Sequence, residues 1–328
     1  MHRRPRPWLL LAGLAVLTVA AFCVALAVGS VPLAPVRVAR ALAGSGDALA
    51  HTLVLQLRLP RAITAFSVGG LLALAGALMQ VLLRNPLADP YILGVSGGAA
   101  VGALLSLLAG LAGYWVSGSA FLGALVSMLI VFVLAHGRGG WTPTRLLLTG
   151  VVVAFGWGAA ISLLLVLSDN ASLRSMLFWL MGDLSYRSSG WLPLIVLLAG
   201  LGLCLPFARH LNVLARGETL AEALGVAVRP FSIAIYVVAS LFTAVAVTEA
   251  GAIGFVGLVI PHLLRLLSGS DHRTLLPGAV LLGGSLLLLA DTLARTVIAP
   301  EQLPVGVVTA ALGVPVFLYL LNRARGPL

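Results

Sequence analysis

The chain contains no lysine; all twenty of its basic residues are arginine. That absence removes several functions at once. A phosphate loop of the form Gly-x-x-x-x-Gly-Lys-Ser/Thr cannot be built, so this polypeptide is not a P-loop ATPase, and any ATP that drives it is hydrolysed on another chain. A lysine Schiff base of the retinal-protein kind is excluded as well. Charge of either sign is scarce, at 9% of 328 residues, while 60% are hydrophobic. A soluble domain of this length would carry far more polar surface, so the composition is that of a polytopic membrane protein. The two cysteines, Cys23 and Cys204, sit in separate apolar runs without the spacing of a disulfide framework or metal knuckle. Both read as small buried hydrophobes.

The formal net charge of +10 raises the question of a nucleic-acid partner. The arginines lie at the ends of apolar runs and form neither a stripe nor a tail, which argues against one.

What the chain does have is apolar runs. Ten can be marked, near 8–29, 62–83, 92–112, 118–136, 145–168, 190–208, 231–248, 251–267, 275–297 and 303–322. Most approach the roughly 20 residues that a helix needs to cross a bilayer core. The first follows His2-Arg-Arg-Pro-Arg6 and is about twice as long as a signal-peptide core, so it reads as a retained span. The seventh and eighth are separated only by Thr248-Glu249-Ala250-Gly251, the tightest of the connections. Orientation follows from the arginines in the connections. With the N-terminus inside, thirteen fall on the cytoplasmic side and seven outside, and both termini are cytoplasmic. The outer seven are Arg37, Arg40, Arg58, Arg61, Arg174, Arg187 and Arg295. They run against the positive-inside rule, which marks them for function.

Two connections are long enough to fold. Residues 30–60 form an outer loop, with a short surface helix expected around 36–43. Residues 209–230 form an inner loop. Within it Leu220, Ala223 and Leu224 share one helical face, and Glu218 and Glu222 make a polar one. Gly217 and Gly225 bracket this helix, with Gly225 as a left-handed stop. Two acids and no internal base suit a groove on a partner protein better than an anionic membrane surface.

The most informative stretch runs from Arg58 to Gly98. It reads Arg58-Leu-Pro-Arg61, one uncharged crossing, the turn Arg84-Asn-Pro-Leu-Ala-Asp-Pro90, and Leu93-Gly-Val-Ser-Gly97. With Gly76-Ala-Leu-Met-Gln80, Phe178-Trp-Leu-Met-Gly182, Gly254-Phe-Val-Gly-Leu-Val-Ile-Pro-His262, Leu276-Pro-Gly278, Ala290-Asp-Thr-Leu-Ala-Arg295 and Leu303-Pro-Val-Gly-Val-Val-Thr-Ala310, the chain closely resembles the FecCD-type permeases of bacterial ABC importers. These carry iron chelates, haem and cobalamin. The resemblance covers nearly the whole chain and rests on the order and spacing of the motifs.

The resemblance implies a single all-α permease domain of about ten spans in the bacterial inner membrane, acting as a homodimer. It implies two cytoplasmic ATPase subunits that bind ATP and magnesium, a periplasmic substrate-binding protein, and no cofactor, metal or catalytic residue on this chain. By motif, Arg58, Arg61 and Arg295 correspond to residues that dock acidic side chains of the binding protein, although Asp291 stands at i−4 to Arg295 and is placed to pair with it. Gly217, Glu218, Leu220, Ala221, Glu222, Leu224 and Gly225 correspond to the coupling helix that sits in the ATPase. Asn85, Leu87, Thr142 and Thr144 correspond to the inner narrowing of the pathway. Pro143 marks either a kink or a helix start there. Arg174 is an outer cation near the entrance, suited to steering an anionic chelate. The wording around Phe178 resembles haem and siderophore permeases more than cobalamin ones, and haem is the expected cargo, with ferric siderophore or cobalamin as the alternative.

Two other classes fit less well. An ion-coupled transporter needs acids near the bilayer midplane, and the ten acids here fall in loops or near span ends, with Glu249 and Asp291 the deepest. A haem-handling enzyme needs facing histidines, and the six present are at span ends or in loops.

Overall fold

The computed structural model describes residues 7–136, 142–184 and 191–323, the side chains of 320, 321 and 323 excepted. Arg187 and Gly190, the first residue of the sixth run, lie outside that set. Among the described residues the protein is helical, without strands. The helices are α1 (Pro7–Ala27), α2 (Pro35–Leu42), α3 (Ala48–His51), α4 (Leu59–Leu82), α5 (Val95–Leu108), α6 (Tyr114–Ala135), α7 (Pro143–Leu167), α8 (Asn170–Leu180), α9 (Trp191–Cys204), α10 (Ala208–Leu214), α11 (Glu218–Ala223), α12 (Val228–Ala250), α13 (Val256–Ser268), α14 (His272–Ala294) and α15 (Val305–Arg323). A π-helical stretch, Thr52–Arg58, joins α3 to α4.

Ten of these helices match the ten apolar runs one for one. Seven spans are long and apolar enough to cross a membrane, while α5, α13 and the apolar part of α15 are shorter. The shortening has local causes. Gly94 takes a left-handed φ of 70° and separates α5 from the 3-10 turn Pro90–Leu93. Gly251 (φ 67°) and Phe255 (φ 71°) break the chain between α12 and α13. The tight hairpin expected at Thr248–Gly251 is therefore an irregular connection running on to Phe255. Its backbone groups find partners within the protein: Asp183 N donates to Ala250 O at 2.9 Å, and Ile253 N donates to the Tyr91 hydroxyl at 3.0 Å. Non-helical backbone inside a bundle survives only when satisfied in this way.

The bundle is organised around α4. From Ala62 to Leu82 every residue except Phe66 is buried. A helix apolar on all sides belongs in the middle of a bundle, and here α12, α13 and α14 pack around it. Small residues allow the close approach that membrane helices favour. A Cβ on Gly76 would fall 1.9 Å from the Gly257 carbonyl oxygen, so this crossing admits no side chain. By contrast α7 has only 6% of its apolar window buried. Phe155 and Val166 stand 77% and 82% exposed, and a Cβ at Gly156 or Gly158 would meet nothing.

Cys204 is buried as expected, whereas Cys23 lies on the exposed face of α1. That helix is itself largely unburied, so one of its faces looks outward. Helix α2 falls where the surface helix was expected. It buries Val38 and Ala41 into a small second core with Leu26 and Val54 and leaves Arg37 and Arg40 exposed.

Candidate functional site

The two ends of α4 carry the residues singled out by sequence. At 24 residues and 1.5 Å per residue the helix holds them roughly 35 Å apart.

At its N-terminal end two arginines meet one carboxylate and a third binds backbone carbonyls. Asp291, near the end of α14, is fully buried and pairs with both Arg61 and Arg295. Arg61 donates through Nη2 at 2.8 Å and through Nε to both carboxylate oxygens at 3.1 Å. Its Nη1 reaches Gln302 Oε1 at 3.0 Å. Arg295 Nε lies 3.0 Å from the other oxygen, and its Nη2 donates to Thr292. The i−4 pairing of Asp291 with Arg295 is thus present, and Arg61, remote in sequence, shares the same acid. One carboxylate against two guanidiniums leaves the cluster with a net positive charge.

Arg58, expected to dock a partner, is occupied within the protomer. It is 6% exposed and donates to the carbonyls of Leu26 (2.7 Å), Ala27 (3.1 Å) and Val31. A planar fork of donors suits the unsatisfied carbonyls at the end of α1. This side chain clamps the chain after α1 onto α4 and does not face a partner. The exposed cations at this end are Arg37 and Arg40.

At the C-terminal end of α4 the turn is held from two sides. Gln80 Nε2 donates to the carbonyls of Ala88 (3.3 Å) and Leu258 (3.2 Å), and Arg265 donates to Gln80 Oε1. The Asn85 side chain accepts from Leu87 N at 2.9 Å and Asp89 accepts from Tyr91 N at 2.8 Å, so each closes its own turn. Burial pushes the Asp89 carboxyl up to about 6, against the opposing hydrogen bond from Tyr91 N. On the solvent side Arg84, left-handed at φ 48°, pairs with Glu218 at 3.1 Å; both side chains are about 40% exposed. This pair joins the turn to α11, two segments for which sequence reasoning gave separate roles. Arg84 was not among the expected site residues, although it opens the turn motif.

Helix α11 has the expected limits. Gly217 (φ 123°) precedes it and Gly225 (φ 82°) ends it, with Val226 N donating back to Ala221 O. Its inward residue is Ala221, fully buried, while Leu220 and Leu224 are 43% and 62% exposed. Glu222 is also exposed. The apolar pair therefore faces away from the protomer.

Thr142 caps α7, accepting from Arg145 N at 3.3 Å, and Pro143 occupies the first turn. The proline starts the helix and does not kink it. Thr144 is exposed on the same turn. Farther along, Gly150 admits the Ile92 carbonyl, where an added Cβ would sit 2.4 Å away, so α7 rests on the segment after the Asn85 turn. Arg174 is exposed on α8 and lies over the Phe178 ring, 5.7 Å from its centroid. Among the described residues no cluster of three histidine, cysteine, aspartate or glutamate side chains could hold a metal ion.

Comparison with known proteins places this arrangement. Residues 17–323 match the FecCD transport family. The chain is 42% identical to the hemin transport system permease protein HmuU of Yersinia pestis, over 99% of this chain and 98% of that one. It is 41% identical to the vitamin B12 import system permease protein BtuC of Escherichia coli O9:H4 (strain HS), over 83% and 84%. In three dimensions it superposes on an inward-facing metal-chelate type ABC transporter with a TM-score of 0.84 and 32% identity, covering 95% of this chain and 98% of the other. The chain belongs to the FecCD transport family and is a multi-pass permease subunit of an ABC transporter.

Proposed function

We propose that this permease imports haem, received from a periplasmic binding protein and driven by two cytoplasmic ATPase subunits, as a homodimer in the bacterial inner membrane. The observation that carries the reading is the full-length match to a hemin permease. Cobalamin permeases match nearly as well, at 41% over 83% of this chain and at 40% over 99% of it, so cobalamin and ferric siderophores are the competing cargoes. The exposed, glycine-containing face of α7 supports a second copy across the pathway, since a helix in the middle of the sequence with so little buried in one protomer has an unmet face.

In this reading the N-terminal end of α4 faces outward. The net positive cluster of Arg61, Arg295 and Asp291, with Arg37 and Arg40 beside it, receives acidic side chains of the binding protein. Arg58 supports that surface from beneath. The other end faces the cytoplasm. There Leu220 and Leu224 enter the ATPase, the Arg84–Glu218 pair links α11 to the turn at Asn85 and Leu87, and Thr142 and Thr144 complete the inner narrowing. Nucleotide binding on the ATPases then shifts the population between two states through α11. Arg174 lies near the entrance, where it steers an anionic cargo.

The test is ATP hydrolysis by the reconstituted complex in liposomes. Stimulation by haem-loaded binding protein, exceeding that by cobalamin- or siderophore-loaded proteins, is the expected result. Stimulation by another cargo would replace haem. With Arg174→Ala, uptake should fall while binding-protein docking is retained.

A further inference from the structure

A second site lies away from all of these residues. Between α4, α9, α10 and α12 the structure holds a cavity of about 260 Å³ whose lining is entirely apolar. Its floor is buried: Leu78, Leu211 and Ile235 are each less than 5% exposed. Its rim is open, with Leu203 54% and Phe207 45% exposed. Three rings stand together at the rim. The His210 ring is 5.9 Å from Phe207 and 5.8 Å from Phe231, and the two phenyl rings are 6.1 Å apart.

A cavity with no polar lining gives water nothing to bond to, and protein interiors otherwise pack to near-crystal density. An open apolar cleft between membrane helices is therefore shaped for hydrocarbon. The charged residues closest in sequence to its lining aromatics are both basic, while the acid that α10 meets, Asp271, is engaged by Asn212 Nδ2 at 2.9 Å. Arg209 lies two residues after Phe207, and Arg229 lies two residues before Phe231. Both are exposed, and neither has an ion pair among the described contacts. Leu78 on the last turns of α4 puts the cleft toward the end of the bundle, where α9 gives way to α10 and a membrane helix would meet the headgroups. Apolar depth, an aromatic rim and flanking cations are the chemistry of an amphiphile with an anionic head.

We propose that this cleft is a binding site for an anionic phospholipid, with an acyl chain between Leu78, Leu211 and Ile235 and the phosphate near Arg209 and Arg229. The proposal does not depend on which cargo is carried.

The test is native mass spectrometry of the purified full-length chain titrated with phosphatidylglycerol or phosphatidylcholine of matched chains. The wild type should retain phosphatidylglycerol preferentially, by roughly 5-fold for each arginine that reaches the headgroup. Arg209→Gln/Arg229→Gln should abolish the preference, whereas Arg37→Gln/Arg40→Gln, with the same loss of charge at the opposite end, should keep it. Ala234→Phe, which fills the cleft, should remove binding of both lipids without lowering the unfolding temperature of the lipid-free protein. Equal retention of the two lipids overturns the proposal, as does a preference that survives Arg209→Gln/Arg229→Gln. Lipid binding unchanged by Ala234→Phe places the lipid elsewhere. A lipid-free dimer that dissociates on Ala234→Phe assigns the cleft to a second copy instead.

Discussion

The two ends of α4 use the same side chain in opposite ways. At the N-terminal end, Arg58 and Arg61 are embedded, one spent on three carbonyls and the other on a fully buried carboxylate. At the C-terminal end, Arg84 reaches through solvent to a single half-exposed glutamate. Buried charges must be fully partnered, and removing one partner strands the other. Exposed pairs contribute little to stability and can part without much cost. The first end is built to hold its shape. The second is built so that a contact can shift while the fold persists.

Breaking the embedded end should have the largest effect. Asp291→Ala leaves Arg61 and Arg295 facing one another without their shared acid, and should destabilise the protein by about 3–5 kcal/mol, read as a lowered unfolding temperature in detergent. Arg58→Met removes the donor to the Leu26 carbonyl at the end of α1 and to the Val31 carbonyl beyond it, while Ala27 O keeps its bond from Leu33 N. It should cost about 2–3 kcal/mol, the scale of hydrogen bonds to a charged group, and should loosen the 30–60 loop to proteolysis.

The exposed end should respond in function and not in stability. Arg84→Glu should change stability by about 1 kcal/mol or less yet lower uptake per ATP hydrolysed on the order of 5-fold. Exchange of the two charges, Arg84→Glu with Glu218→Arg, should restore it. Equal uptake by Arg84→Glu and wild type would remove the pair from coupling.

The smallest effect concerns Asp89, whose carboxyl is raised from 3.8 to about 6. Its raised folded value favours the protonated form, so its contribution to stability is full below about pH 4 and is lost as pH rises through 6. Asp89→Asn keeps an acceptor for Tyr91 N but carries no charge. Its unfolding temperature relative to wild type should rise on the order of 2 °C between pH 4 and pH 7, and a pH-independent difference would contradict the assignment.

Much of this was legible in the sequence because it is local. The ten runs, the stop at Gly225, the surface helix with Arg37 and Arg40, and the Asp291–Arg295 pair all follow from periodicity, turn chemistry or i,i+4 spacing. The contacts that decide roles are not local. Arg61 finds Asp291, and Arg84 finds Glu218, only once the bundle is packed. Arg58 matches a docking motif, yet the same donors satisfy the carbonyls at the end of α1 first. The breaks at Gly94 and Phe255 were hidden inside apolar runs because hydropathy does not register a left-handed residue. The outward apolar face of Leu220 and Leu224 agrees with the sequence reading, whereas the burial of Ala221 depends on packing.

The proposed function depends most on which end of α4 faces the cytoplasm. The direct measurement is labelling by a membrane-impermeant thiol reagent in a Cys23→Ser/Cys204→Ser background, comparing Leu224→Cys on α11 with Arg37→Cys on α2. Labelling of Leu224→Cys only in inverted vesicles, and of Arg37→Cys only in intact spheroplasts, is the predicted result. The reverse pattern would place α11 on the side away from the ATPases and contradict the account.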